Sequence, residues 1–176
     1  MDSTVFVECC VVTGHRWFIL RRESAVPAER LVADGAGFAM QFGREESARA
    51  WAKARGPVSD RPAREVDLDA VLRVCHQLRT GPTGAVPFEP AVLWEAWDFL
   101  GRVGALEERP VDTHGELDVI NAKLGFAMAL RERPELRSST AAPTLSEGEL
   151  RHLASLLREG TLALVPRLSP TGGLPD

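Results

Sequence analysis

The chain has 176 residues, 44% of them apolar and 26% charged, and a net charge of −4. That is enough chain for one substantial core and little for two independent ones, and the composition is globular rather than disordered or fibrous. No apolar run reaches the roughly 18 residues of a membrane-spanning helix, and three cysteines without framework spacing exclude a disulfide scaffold.

The opening Met1-Asp2-Ser3-Thr4 lacks the basic start and unbroken apolar run of a signal peptide, so a reducing, cytoplasmic setting is expected. Charge is unevenly placed. Residues 1–66 carry 10 basic and 9 acidic side chains, whereas residues 67–176 carry 11 basic and 16 acidic ones. Phosphate binding needs clustered Lys and Arg, so the acidic half argues against a nucleic-acid partner and suits a basic protein instead.

The front of the chain reads as strands. Thr4 to Val12 is apolar and β-branched, and Arg16 to Arg22 follows after Thr13-Gly14-His15, which is a hairpin signal. Arg30 to Ala33 and Gly37 to Phe42 flank Asp34-Gly35, a pair suited to a type I′ turn, and predict a second hairpin. The period then changes. Ala48, Trp51, Ala52 and Arg55 share a helical face over Glu45 to Arg55, and Gly56-Pro57 ends it.

Residues 57–66 read as a polar connector, and the rest of the chain as helices. Asp67 is the expected N-cap of a helix to about Arg79. After the Gly- and Pro-rich loop from Thr80 to Pro87, Glu89 to Val103 is apolar around most of its circumference and is expected at the centre of the helical half. Thr113-His114-Gly115-Glu116 and Ser146-Glu147-Gly148-Glu149 each have capping-box spacing and open two further helices. Residues 166–176 read as a disordered tail. The expected fold is therefore α+β: an N-terminal antiparallel sheet (β-β-β-β-α, residues 1–56) packed on about four helices in residues 67–165, as one cooperative unit.

Few constellations carry chemistry. Cys9 and Cys10 are adjacent, and neighbours in a strand point to opposite faces, so they do not act together on one ligand. A reactive thiol there needs a lowered pKa, which His15 or Arg16 across the hairpin could supply; the plainer use is as small core residues. His114 and Glu116 lie in an acidic cluster suited to acid–base work, although capping accounts for Glu116. The four histidines fall on separate elements without metal-ligand spacing, so neither a metal nor a cofactor is expected.

Trp94 and Trp97 sit three residues apart on one helix face, rimmed by Glu89, Glu95 and Asp98. Core packing is the usual use of such residues. The functional use is an aromatic hot spot for a basic protein.

Phe88-Glu89-Pro90-Ala91-Val92-Leu93-Trp94-Glu95-Ala96-Trp97-Asp98-Phe99-Leu100, followed later by Leu145-Ser146-Glu147-Gly148-Glu149-Leu150, resembles a motif pair in small bacterial α+β proteins with no assigned activity. Leu145 stands where the second motif has tryptophan. Abundant Ala, Arg, Gly and Pro with only two lysines resembles the coding bias of a high-GC, actinobacterial source. The resemblance implies no activity. The residues together point to a small protein-binding module, such as an immunity-type inhibitor of a basic bacterial toxin; the alternative is a small enzyme working through Cys9, Cys10, His114 or Glu116.

Overall fold

The computed structural model describes residues 4–26, 29–80, 90–106, 114–133, 135 and 144–168. Strands β1 (Val5–Val12) and β2 (His15–Arg22) form the expected hairpin, with Val12 opposite His15. Its two turn residues, Thr13 and Gly14, are left-handed, with φ of 53° and 75°. A two-residue hairpin turn demands that backbone, which suits glycine and strains β-branched threonine. The turn is held from outside: the Thr13 and Gly14 N–H groups donate to the two Asp69 carboxylate oxygens at 2.9 and 2.8 Å.

The second expected hairpin is looser than its sequence suggests. Residues 30–33 run beside β2, with Val32 N–H donating to Leu20 O at 2.9 Å, but only Gln41–Phe42 qualify as strand β3. The intervening loop closes on the Asp34 side chain, which accepts the Ala36 and Phe38 N–H groups at 2.8 and 3.0 Å. The positive φ falls at Gly37 (88°), outside an Asp34-Gly35 type I′ turn. Aspartate bonding its own downstream backbone replaced the tighter turn.

Helix α1 (Glu45–Lys53) follows, and then a strand from the expected connector: β4 (Glu65–Asp67). The sheet order is β3-β2-β1-β4, antiparallel across the first three strands and parallel between β1 and β4. The sheet is therefore mixed rather than wholly antiparallel, and its fourth strand lies beyond residue 56. Val66 explains the addition. It is the one apolar residue between Glu65 and Asp67, and it is buried opposite Cys10 while both neighbours face outward. Three residues are too few for the alternation to register as a strand in the sequence.

Helices α2 (Leu68–Thr80), α3 (Pro90–Arg102), α4 (His114–Glu132) and α5 (Glu147–Leu164) complete the chain. Asp67 caps α2, accepting the Ala70 N–H at 2.7 Å. At α5 the full capping box forms: Glu149 N–H donates to Ser146 Oγ at 3.3 Å, and Ser146 N–H donates to Glu149 Oε2 at 2.6 Å. Helix α3 stops in a Schellman arrangement. Ala105 N–H donates to Leu100 O at 2.8 Å across left-handed Gly104 (φ 72°).

Strand alternation divides the apolar residues between two cores. Val7, Leu20 and Phe42 face α1, where Ala48 and Ala52 meet them. Cys10, Val12 and Ile19 face the other way, onto buried residues of α2, α3, α4 and α5. The sheet thus carries one helix on one face and the helical half on the other. Arg167 and Leu168, expected in a loose tail, instead return to the sheet. Arg167 O accepts the Ala39 N–H at 2.8 Å and Leu168 is buried, because its large apolar side chain gains from leaving water. No described helix is long and apolar enough to cross a membrane.

Candidate functional site

Strand β1 pairs with the chain segment beside it at two places, out of step. Val5 pairs with Val58 and Cys9 with Glu65, so β1 advances four residues while its neighbour advances seven. The three surplus residues arch outward over positions 60–64. Under that arch lies an open pocket of about 370 Å³.

The arch is not slack. Arg49 of α1 donates from Nη1 to Ser59 O at 2.7 Å and from Nη2 to Arg61 O. Glu45 holds Arg49 through its Oε1 at 2.7 Å and accepts the Ala63 N–H at 3.4 Å. Two residues one turn apart on α1 therefore clamp both limbs of the arch, and Pro62 stiffens its crest.

Cations dominate the lining. Arg61 and Arg64 come from the arch, Arg21 from β2 and Arg102 from the last turn of α3; Phe6 and Pro62 supply apolar walls. One carboxylate, Glu8 of β1, lies at the base and is 6% exposed. Arg21 Nε donates to Glu8 Oε1 at 2.9 Å, while Arg102 reaches Oε1 from Nε at 3.2 Å and Oε2 from Nη2 at 3.1 Å. Arg102 also pairs with Asp98, and the Arg21 guanidinium lies over the Phe6 ring at 4.3 Å. The two inner arginines are thus matched by two carboxylates. The outer two, Arg61 and Arg64, have no side-chain hydrogen bond or ion pair among the described residues.

The pocket is lined by guanidinium groups, one carboxylate and apolar side chains. Its lining includes no thiol, hydroxyl or imidazole, and both Glu8 oxygens are occupied by guanidinium groups. Two unmatched guanidinium groups, presented on a clamped loop, are the standard means of taking a carboxylate or a phosphate.

The residues singled out from sequence are largely elsewhere. Cys9 and Cys10 are buried, on opposite faces of β1. Burial first and Glu65 second push the Cys9 thiol up to about 11 against the opposing charge of Arg16, and burial pushes the Cys10 thiol up to about 12. Arg16 is paired with Glu65 at 2.6 Å, so its charge is largely spent. Neither cysteine therefore carries the lowered pKa that nucleophilic chemistry needs.

Trp94 and Trp97 are half-buried and pack against the helical core, with the Trp94 ring over Gly125. Glu95 is half-buried as well. Among the described residues of that group, only Asp98 reaches the pocket, through Arg102. Glu89 lies outside the described residues, as do the side chains of His114 and Glu116, whose backbone opens α4. No group of His, Cys, Asp or Glu that could hold a metal ion occurs among the described residues.

The two outer arginines of the pocket belong to the segment that reads as a connector in the sequence. Arg61-Pro62-Ala63-Arg64 stands in the polar connector, and only the arch turns its two arginines toward Glu8 and Arg102. Comparison with protein-family models, with curated proteins and with solved structures returned no match.

Proposed function

We propose that this chain is a binding module whose ligand, an anionic group of a protein partner, is received by Arg61 and Arg64 over the Glu8–Arg21–Arg102 base. The observation that carries the reading is the pair of outer guanidinium groups, held on a loop that α1 fixes and unmatched by any carboxylate among the described residues. A fixed loop loses little freedom when it binds, so the attraction is not spent on ordering the site.

This reading places the recognised charge opposite to a basic toxin docked on the acidic helical half. Asp98, one of the carboxylates proposed for that role, is already matched by Arg102. It also favours binding over the alternative of a cysteine enzyme, whose thiols are buried and held protonated.

Thermal unfolding in the presence of acetate, citrate and inorganic phosphate tests the reading, because a ligand that binds only the folded state raises its midpoint. The midpoint should rise with the polyvalent anions in the natural chain and not in Arg61→Ala/Arg64→Ala. Equal responses in both proteins would remove the pocket as the anion site.

A further inference from the structure

The arch leaves one residue of β1, Val7, without a partner on its outer edge. Even-numbered residues of β1 direct their backbone groups at β2; odd-numbered ones direct them at the outer edge. The assignment follows from the flanking bonds. Val5 N–H donates to Pro57 O at 2.9 Å and Val5 O accepts the Ser59 N–H at 2.8 Å, both on the outer edge. Val7 lies opposite Leu20, and Leu20 O is taken from the far side by Val32 N–H at 2.9 Å, so Val7 and Leu20 form a non-hydrogen-bonded pair. The Val7 N–H and C=O therefore point into the pocket, and no hydrogen bond reaches either of them among the described residues.

From this we infer that the pocket takes a short extended peptide carrying an Asp or Glu side chain, its backbone paired with Val7 and its carboxylate against Arg61 and Arg64. The inference rests on the anion-binding reading above and names the class of ligand. A donor and an acceptor on one strand residue are what a neighbouring strand uses, and an added peptide strand satisfies both at once. A simple carboxylate or phosphate could accept from the N–H but would leave the carbonyl without a donor. The volume, about 370 Å³, is within the small-ligand range and admits a few residues rather than a long strand. Glu65–Asp67 and Pro57–Ser59 close the edge on either side, which sets the register of the visitor.

The experiment uses the full chain, labelled with ¹⁵N, and a blocked tripeptide, acetyl-Ala-Glu-Ala-methylamide. Titration should shift the Val7 amide resonance saturably. Arg61→Ala/Arg64→Ala, both exposed positions, should weaken binding tenfold or more while the rest of the spectrum stays folded. The same peptide methylated on its backbone nitrogens should also bind at least tenfold more weakly than the parent. If acetate, the parent and the methylated peptide bind alike through the two arginines and the Val7 amide does not move, the peptide inference falls and the anion-binding reading stands. If no anion of any kind perturbs the pocket, both fall.

Discussion

Glu8 and Arg102 lie ninety-four positions apart in the chain and meet through both carboxylate oxygens, at 3.2 and 3.1 Å. The contact joins β1 to the last turn of α3 and forms the base of the pocket. Glu8 also holds Arg21, whose side chain is only 11% exposed, so one carboxylate stabilises two guanidinium groups.

Removing that carboxylate should be costly. Glu8→Gln leaves Arg21 buried without its counter-charge, and we expect a loss of about 3 kcal/mol, the lower end of what breaking a buried ion pair costs, since Arg102 keeps Asp98. Chemical denaturation measures it. Glu8→Met/Arg21→Met removes both charges and should lie within about 1 kcal/mol of the natural chain. A double variant as unstable as the single one would show that packing, and not the uncompensated charge, sets the cost.

The hairpin turn should respond in opposite senses to two changes. Thr13 holds a left-handed backbone that β-branched residues resist, so Thr13→Gly should stabilise the fold by up to about 1 kcal/mol, glycine's freedom in the unfolded chain offsetting part of the relief. Asp69→Ala removes the acceptor of two charge-assisted bonds and should cost about 1–2 kcal/mol at this exposed site. Unchanged stability in Asp69→Ala would mean that water replaces the carboxylate without loss.

All three cysteines should be silent in the folded protein. Cys9, Cys10 and Cys75 are buried, and burial raises their thiols to about 11, 12 and 11. A thiol-specific disulfide reagent at mildly alkaline pH should label none of them until denaturant is added, and then all three. Rapid labelling of one thiol in the folded chain would reopen a chemical role for it.

Acid should loosen the α5 cap. The hydrogen bond from Lys123, with the Ser146 backbone N–H second, lowers the Glu149 carboxyl from its usual 4.5 to about 2. The folded state therefore binds this proton less readily than the unfolded chain does. The contribution is fully present above pH 4.5 and is lost as pH falls toward 2. Midpoints of thermal unfolding across that window should fall less steeply in Glu149→Gln than in the natural chain. Parallel curves would mean that other carboxylates set the acid response.

Three elements formed where a local sequence signal marked them. The β1–β2 hairpin is marked by a β-branched run before Thr13-Gly14 and an aromatic and aliphatic run after it. Helix α5 is marked by Ser146 and Glu149, and α2 by Asp67. In each case the residues that fix the element are within a few positions of one another, so the physics is local. Strand β4 and the return of Leu168 failed that condition. Each depends on a single apolar side chain, Val66 or Leu168, that gains its burial only from distant residues.

The α+β class, the order of the helices and the burial of Cys9 or Cys10 in a strand were set by composition, periodicity and capping, which short stretches of chain contain in full. The pocket was decided by the tertiary structure alone. Arg61 and Arg64 are two arginines in a polar connector until Glu45 and Arg49 clamp the arch above Val7. Glu8 is an acidic residue in an apolar strand until Arg21 and Arg102 reach it. Charge and hydrogen-bonding capacity belong to the residues; which of them remain unmatched depends on the neighbours that the fold supplies.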